Sequence, residues 1–499
     1  MNEEIDSLSK NETWSLSELP PGRSAIRSRW VYKLKQSGAE AVKYKARLVA
    51  KGFSQKKGVD YEETYSPVVK HDSLRTVLAV AAAKDLEMVQ LDVKTAFLNG
   101  ELEEELFMEQ PAGFEVNGRE NEVCRLQRSL YGLKQASRNW NKKFDSFIVK
   151  YGFTRGIADP CVYYQKDDDQ NITIMAIWVD DGLLCSSQAS KLKDIVSFLS
   201  SNFEMTFGPV GVFVGIQIGR NRQEKLIHIS QKLYIEKVVK RFGLSDCKPR
   251  NIPADPFSHL TKDSSAGVEA SFPYREAVGS LMFAAICTRP DIAFAVNQVA
   301  QFSNNPNQSH WEAVKRIITY LKGTSDHGIT YCGTGENVLT AYTDADFAGD
   351  VDTRRPTTGN IFIINGGPVA WSSQRQRCVS LSTTEAEYVA ASTATKEIAW
   401  LRNLLNDIGC CQHQPTTLLC DNQSAIRLVR NPEFHQRTKH IDVKFHYIRN
   451  MQEEGAVNIL YVDTSNQLAD ALTKALTQPM FVKFKSCIGM SSSVVSKCT

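Results

Sequence analysis

Two adjacent aspartates, Asp180 and Asp181, stand at the end of an apolar run rich in β-branched residues. The run predicts a buried strand, and the Asp-Asp-Gly sequence predicts the tight turn after it. A second short apolar run predicts another strand with Asp92 near its end. Carboxylates crowded at strand ends are costly unless a cation neutralises them, and Mg²⁺ prefers such oxygen ligands. These acids could hold two metal ions about 4 Å apart for phosphoryl transfer. A plain hairpin turn is the alternative.

A second set of acids follows an order of strands and helices in the last third of the chain. One predicted strand ends at Asp344 and another at Asp421, and a short late helix carries Asp470. Between them, a long helix carries Glu385 and Glu387 in its first turns. Acids from four such elements make a plausible four-carboxylate metal site. Each also has a structural alternative as a cap or turn residue, since either glutamate could close a capping box with the residue three positions earlier.

Basic residues are concentrated near the start of the chain, although the net charge is only +3. Residues 23–57 hold eleven Lys or Arg against one acid, and residues 124–143 hold six against none. Lys33, Lys35, Lys45 and Arg47 alternate along a predicted hairpin, so we expect them on one face of it. Such a cluster favours a polyanion such as nucleic acid. A solvated basic surface is the alternative.

Composition narrows the class of protein. A length of 499 residues predicts two to four domains, and a 42% hydrophobic fraction suffices for packed cores. The twelve cysteines include no Cys-x-x-Cys pair, which favours a reduced, intracellular compartment over a disulfide framework. The sequence contains no secretory signal and no apolar run long enough for a membrane span, so we expect no membrane partner.

The pattern of elements predicts an α/β (α+β) protein with five segments. A polar tail covers residues 1–22, and mixed strands and helices cover 23–250. A largely helical segment covers 251–335. A second mixed segment with the later acids covers 336–476, and a tail covers 477–499. Within the second mixed segment, Asn365-Gly366-Gly367 predicts a β-hairpin turn.

Three motifs in the first half resemble the reverse transcriptases of copia-type LTR retrotransposon Pol polyproteins. They are residues 90–100 (QLDVKTAFLNG), 129–138 (SLYGLKQASR) and 179–181 (VDD). The resemblance implies a right-hand polymerase of fingers and palm over 23–250, with a thumb or connection over 251–335. It implies RNA-directed DNA synthesis at Asp92, Asp180 and Asp181 with two Mg²⁺ or Mn²⁺ ions.

The same resemblance implies the contacts of the substrates, which are an RNA template, a DNA primer and dNTPs. Phe97 would lie under the incoming sugar and exclude a 2′-hydroxyl, with a place in the core as its alternative. Trp178 would lie against the primer end. The basic hairpin resembles polymerase fingers. The remaining expected nucleotide or template contacts are Gly132, Lys134 and Gln135.

Four motifs in the second half resemble the copia-type RNase H domain. They are residues 342–350 (YTDADFAGD), 382–388 (STTEAEY), 420–422 (CDN) and 466–470 (NQLAD). By this resemblance the acids are Asp344, Glu387, Asp421 and Asp470. They would hold two metal ions and cleave the RNA of an RNA–DNA hybrid, whose 2′-hydroxyl marks the RNA strand. The chain would act in the cytoplasm, within virus-like particles if the element is active.

Two departures from the family pattern keep other functions open. Trp178 replaces a usual Tyr and Ser137 replaces a usual Pro, although neither change removes a metal ligand. A non-catalytic, domesticated nucleic-acid-binding remnant is the first alternative. A polymerase-dead protein that retains RNase H activity is the second. The sequence does not indicate an oligomeric state.

Overall fold

The computed structural model describes residues 1–37, 41–167, 169, 171–262, 272–430 and 446–492, with the backbone alone at 35–37 and 41–43. The α-helices in these residues are α1 (Asn2–Lys10), α2 (His71–Ala83), α3 (Ala136–Tyr151), α4 (Ala189–Ser200), α5 (Lys232–Arg241), α6 (Tyr274–Cys287), α7 (Ala293–Ala300), α8 (Gln308–Gly323), α9 (Thr383–Asp407), α10 (Gln423–Arg430), α11 (Tyr447–Glu453) and α12 (Gln478–Cys487). In the described part of the chain, no helix is long and apolar enough to cross a membrane.

The strands form five sheets. Those of the first half are β1 (Trp14–Ser17), β2 (Ser28–Ser37), β3 (Ala41–Ala50), β4 (Glu87–Val93), β5 (Glu101–Met108), β6 (Val123–Arg128), β7 (Thr154–Arg155), β8 (Val162–Lys166), β9 (Ile172–Trp178), β10 (Asp181–Ser186), β11 (Met205–Gly208), β12 (Val212–Phe213), β13 (Ile216–Asn221) and β14 (Leu226–Ser230). Those of the second half are β15 (Gly328–Cys332), β16 (Thr340–Asp346), β17 (Thr357–Ile364), β18 (Gly367–Arg375), β19 (Thr416–Cys420), β20 (Val457–Tyr461) and β21 (Met490–Ser491).

The first acids lie on a six-stranded antiparallel sheet of order β11-β4-β10-β9-β8-β7. Alternate residues of β9 enter two different cores. Ile174 packs in the cluster that contains α2, whereas Met175 packs in the cluster that contains α3 and α4. Because both faces of the sheet are covered by helices, β9 is apolar at every position except Thr173, whose hydroxyl group bonds to that of Ser186.

The tight turn after β9 differs from the predicted one by about one residue. It consists of Val179 and Asp180, and Val179 takes a left-handed conformation with φ +55°. Asp181 and Gly182 already belong to β10. Gly182 is needed for packing, since a Cβ there would lie 2.5 Å from Leu91 Cδ1. The prediction of a turn at Asp-Asp-Gly was therefore wrong in register, because the glycine signals close packing between strands.

The later acids lie on a five-stranded sheet of order β18-β17-β16-β19-β20. The first three strands are antiparallel, whereas β19 pairs parallel to both β16 and β20. The predicted hairpin between β17 and β18 is confirmed, with Asn365 at φ +52° and Gly366 at φ +80°. Helix α9 packs across β16 and β17.

The described residues of the segments expected as tails, 1–22 and 477–492, contain helices and strands. Residues 1–22 contribute α1 and β1, and β1 pairs with β6. Residues 477–499 contribute α12 and β21, and β21 pairs with β15. The predicted helical segment 251–335 contains α6, α7 and α8, but it also supplies β15 to a sheet with β14. The sequence pattern did not predict the short strands β1 and β21, because each is stabilised by a partner strand that is distant in the chain.

Arg75 of α2 joins the two halves of the molecule. Its guanidinium is buried and donates hydrogen bonds to the carbonyl oxygens of Val369 in β18 (2.7 Å) and Cys287 at the end of α6 (2.9 Å). It also lies 3.9 Å from the ring centroid of Trp371 and pairs with Asp72. A planar guanidinium suits this position because it can satisfy several carbonyls at once.

We predict that Arg75→Ala destabilises the protein by about 3–5 kcal/mol, because it leaves buried carbonyl groups without donors. Arg222→Ala is the matched control, since Arg222 pairs with Glu87 at the exposed surface and should cost less than about 1 kcal/mol. Urea unfolding followed by tryptophan fluorescence measures both. Equal losses for the two variants would contradict the role of Arg75.

Two candidate acidic sites

The aspartates of the first site converge where β4, β9 and β10 end. Asp181 lies directly opposite Asp92 in the antiparallel register of β10 and β4. The backbone N–H of Val93 donates to the carbonyl oxygen of Asp180 at 2.8 Å. Asp92 is exposed, and Asp180 and Asp181 are partly exposed. Three acids therefore lie together at one solvent-accessible end of the inner strands of the sheet.

The turn that carries Asp180 is held from two sides. The Trp140 indole N–H of α3 donates to the carbonyl oxygen of Val179 at 2.7 Å. On the other side, Trp178 stacks on His71 of α2, with ring centroids 5.5 Å apart. Trp178 is thus packed beside the acids, and its ring has a stacking partner in His71.

Aromatic rings and a cation line the approach to the first site. Phe97 packs on Tyr131 with centroids 4.9 Å apart, and the Arg47 guanidinium lies 4.6 Å from the Tyr131 ring centroid. Burial raises the pKa of Tyr131; Arg47 opposes this shift, and the charges of Asp180 and Asp92 add to it. Tyr131 therefore lies within electrostatic range of two acids, a position that the sequence reading did not recognise.

The basic residues of the β2–β3 hairpin share one face, as their alternation predicts. Lys33 lies opposite Lys45, and Arg47 lies opposite Val31. Lys35 is on the same face by register, but its side chain lies outside the described residues. The hairpin therefore presents a row of cations, and Arg47 connects that row to Tyr131.

Three other residues that were expected to contact nucleotide or template hold the loop after β3 in place: Gly132, Lys134 and Gln135. Gly132 has φ +94°, and a Cβ there would lie 2.1 Å from the Ala50 carbonyl oxygen. Lys134 Nζ donates to the Gln55 carbonyl oxygen at 3.2 Å, and the Gln135 amide donates to the Asp60 carbonyl oxygen at 2.9 Å. Gln135 is 1% exposed. The Gln135 side chain therefore helps to hold this loop.

The four acids of the second site come together around Asp421. Ligand atoms of Asp344, Asp421 and Asp470 all lie within 4.8 Å of one another. Those of Glu387, Cys420 and Asp421 form a second group of the same size. Among the described residues these are the groups of three that could hold a metal ion, and the oxygens of the first site do not form one. The second site is therefore the tighter of the two.

The two glutamates of α9 have different surroundings. Glu385 accepts a hydrogen bond from the Leu381 N–H at 2.7 Å, while the Ser382 hydroxyl accepts one from the Glu385 N–H at 3.1 Å. Glu385 therefore takes part in capping α9, as one of the alternatives anticipated. Glu387 is 5% exposed and is directed towards Asp344 and Asp421.

The carboxylates of the second site repel one another. Burial, followed by the charges of Asp344 and Asp421, raises the pKa of Glu387 to about 10. Burial and Asp344 raise the pKa of Asp470 to about 7, although Lys474 lies 3.0 Å from its carboxylate and opposes the shift. Such shifts arise when acidic groups are gathered without a neutralising cation.

The donor groups fit a divalent cation. Asp470 is 3% exposed, and its Oδ1 atom has no hydrogen-bond partner among the described residues. Hydroxyl groups fix two other acids: Thr473 donates to Asp344, and Thr464 donates to Asp421 at 2.7 Å. Oriented carboxylates with a free buried oxygen are suitable ligands for Mg²⁺ or Mn²⁺. The sequence reading missed Cys420 and both threonines, because nothing in their spacing signals contact with the acids.

Comparison with known proteins places the chain among retrotransposon proteins. The reverse transcriptase (RNA-dependent DNA polymerase) family matches residues 11–256. A retrovirus-related Pol polyprotein from transposon TNT 1-94 of Nicotiana tabacum is 46% identical over 99% of this chain. The match spans 38% of that polyprotein, so the chain corresponds to little more than a third of it. A putative transposon Ty5-1 protein of Saccharomyces cerevisiae is 32% identical over 62% of this chain and all of its own length.

A solved structure of the prototype foamy virus protease-reverse transcriptase also aligns with the chain. The alignment covers 95% of this chain and 54% of that one, at 12% sequence identity and a TM-score of 0.25.

We predict that the metal-free protein becomes less stable as the pH rises from about 5 to about 8. The pKa values of Glu387, Asp421 and Asp470 are raised above their unfolded values near 4. Between the unfolded and folded values these carboxyls bind more protons in the folded state, so the free energy of unfolding falls with rising pH. Asp470→Asn removes one such group and one repelling charge, and should flatten the decline. Urea unfolding in EDTA measures this, with the exposed Glu336→Gln as control. A decline of unchanged slope in Asp470→Asn would contradict the repulsion.

Proposed function

Because the chain belongs to the copia-type retrotransposon Pol polyproteins and carries their reverse transcriptase domain, we propose that it is an RNA-directed DNA polymerase that also cleaves RNA in RNA–DNA hybrids. The observation that carries the first activity is the pairing of Asp181 with Asp92 beside Asp180 at one sheet edge. The substrates would be an RNA template, a DNA primer and dNTPs.

The first site has the parts that DNA synthesis needs. Two Mg²⁺ or Mn²⁺ ions, when bound by Asp92, Asp180 and Asp181, would neutralise the transferring phosphoryl group. The Trp140 hydrogen bond and the Trp178–His71 stack hold the turn in one position, so Asp180 is preorganised. The cationic face of the β2–β3 hairpin would bind template or triphosphate phosphates.

A right-hand arrangement accounts for the placing of these parts. The six-stranded sheet with its acids would be the palm, and the β2–β3 hairpin with the β1-β6-β5 sheet would be the fingers. Helices α6, α7 and α8 would form the thumb or connection. Phe97 packs between the fingers and the acids, where its ring would exclude a ribose 2′-hydroxyl.

The second site supports hybrid cleavage. The sheet order, with Asp344 in β16, Glu387 on α9 and Asp421 directly after the parallel β19, is the arrangement expected of an RNase H-like domain. Two divalent ions held there would serve the hydrolysis of the RNA strand. Lys474 beside Asp470 is placed to hold that carboxylate in one orientation.

One observation favours a second candidate function, a hybrid nuclease without polymerase activity. Only the second site brings three metal-ligating atoms within 4.8 Å of one another among the described residues. Separate variants at the two sites distinguish these functions.

We predict that Asp180→Asn lowers primer extension on an RNA template by on the order of 100-fold or more, because it removes a charged metal ligand worth several kcal/mol. Hybrid cleavage by the same protein should be largely retained. Asp194→Asn, on the exposed surface of α4, is the matched control and should extend primers normally. Unchanged extension by the Asp180 variant would remove Asp180 from the site.

At the second site we predict the reverse result, in which hybrid cleavage is lost and primer extension is retained. Glu387→Gln should abolish hybrid cleavage while primer extension continues, because its carboxylate belongs to the buried acid group. Glu385→Gln should reduce cleavage only mildly, since Glu385 caps α9. Cleavage assays on a labelled hybrid compare the two variants. A dead Glu385 variant beside an active Glu387 variant would mean that the wrong glutamate has been assigned.

We predict that Phe97→Val increases ribonucleotide incorporation by about 10-fold or more while dNTP use falls much less, because a smaller side chain leaves room for the 2′-hydroxyl. Phe198→Val, which removes a ring stacked on Phe147 at 4.6 Å, is the control for loss of an aromatic residue. The ratio of incorporation efficiencies for one ribonucleotide and its deoxy form is measured. A folded Phe97→Val protein with unchanged selectivity would show that Phe97 is a core residue.

A further inference from the structure

Cys420, the last residue of β19, places a thiol against the acids of the second site. The residue is fully buried, and its Sγ atom lies 3.9 Å from Glu387 Oε2. Ligand atoms of Cys420, Glu387 and Asp421 all lie within 4.8 Å of one another. One sulfur and two carboxylate groups therefore converge on a single point, and hydrolysis by hard cations makes no use of the sulfur.

One backbone N–H is placed to stabilise a metal-bound thiolate at Cys420. The backbone N–H of Asn422 donates to Cys420 Sγ at 3.5 Å, an interaction that stabilises negative charge on sulfur. The Asn422 side chain accepts a hydrogen bond from the Ala425 N–H at 3.0 Å, which holds this N–H in place at the start of α10. In both hydrogen bonds a backbone N–H donates to a side-chain atom, so the two contacts join the sulfur to the start of α10.

An independent observation also points to a missing ligand here. The buried Asp470 Oδ1 atom has no hydrogen-bond partner among the described residues, and ligand atoms of Asp470 and Asp421 lie within 4.8 Å of each other. Asp421 belongs to both groups of ligand atoms. An ion bound by Cys420 and Asp421 would therefore lie beside an unsatisfied carboxylate oxygen.

We propose that Cys420, Glu387 and Asp421 form a site for a thiophilic divalent ion, Zn²⁺ or Cd²⁺, that overlaps the hard-cation site. Mg²⁺ selects oxygen ligands, whereas thiolate ligands select Zn²⁺ and related ions. Three protein ligands with one open position, left for water, are a common zinc arrangement. On binding, the Cys420 thiol and the Glu387 carboxyl group release their protons to solvent, and the sulfur and the carboxylate become ligands.

The site has a consequence for hybrid cleavage, which rests on the proposed function. A thiophilic ion held by Glu387 and Asp421 removes two carboxylates from the hard-cation site. Zn²⁺ therefore inhibits hybrid cleavage in the presence of excess Mg²⁺, while primer extension at the first site responds much less. The binding of the ion itself does not depend on either activity.

Cadmium absorption tests the binding directly. The exposed thiols of the metal-free protein are first blocked with iodoacetamide, and Cd²⁺ is then added while the ultraviolet thiolate-to-cadmium band is recorded. The wild-type protein is expected to show a saturating band that Cys420→Ser lacks. Cys411→Ser, which removes an exposed thiol, should keep it. A band of equal size and affinity in Cys420→Ser would overturn the proposal.

A second variant, Glu387→Gln, tests the site even if Cys420→Ser fails to fold. Glu387→Gln keeps the thiol and should weaken Cd²⁺ binding by on the order of 10-fold or more, because even groups behind the ligands are worth about 10–100-fold in metal affinity. Unchanged affinity would show that the acids take no part and would also overturn the site.

Inhibition of hybrid cleavage by Zn²⁺ tests whether the two ion sites overlap. The Zn²⁺ concentration that halves cleavage, relative to each protein's own rate in Mg²⁺, should rise by on the order of 10-fold or more in Cys420→Ser. An equal concentration in both proteins would contradict the overlap of the two sites. Absence of cleavage in Mg²⁺ alone would reject the proposed nuclease, and the cadmium titration would still decide whether the ion binds.

Discussion

Carboxylates brought together out of water are the constraint on which the rest of this structure depends. At the second site, burial and mutual repulsion raise the pKa of Glu387 to about 10 and that of Asp470 to about 7. The fold must hold these groups together against that repulsion, and it does so with strand ends, the long helix α9 and threonine hydrogen bonds. A bound cation neutralises the carboxylates, so their unfavourable electrostatic free energy is offset when an ion binds.

The scaffold that imposes this constraint spans both halves of the molecule. Helix α9, which carries Glu387, is hydrogen-bonded to the loop between β7 and β8. The Trp400 indole N–H donates to the Ala158 carbonyl oxygen at 2.8 Å, and Asp407 accepts from the Ile157 N–H at 2.9 Å. Arg75 adds hydrogen bonds from α2 to β18. These buried or partly buried contacts join the elements that carry the two acidic sites.

Sequence reasoning predicted the elements far better than their contacts. The strands that carry Asp92 and Asp344, the turn at Asn365-Gly366 and the extent of α9 follow from local patterns that act over a few residues, although β16 continues past Asp344 to Asp346. The turn at Val179–Asp180 was misplaced because Gly182 serves packing against Leu91, which only the sheet reveals. The folded ends of the chain and the approach of Cys420 to Glu387 were missed for the same reason, since both join residues far apart in sequence. Gln135 belongs to a recognisable motif, yet nothing in the sequence indicated that its buried side-chain amide donates to the Asp60 carbonyl oxygen.

The central claim is that one chain both copies RNA into DNA and cleaves the copied RNA at separate acidic sites. The most direct measurement is a time course with the wild-type protein, Mg²⁺, dNTPs and an RNA template annealed to a DNA primer, each strand carrying its own label. The account predicts that the primer lengthens and that the template strand is then cut within the newly formed hybrid. A folded protein that leaves the primer unextended would contradict it.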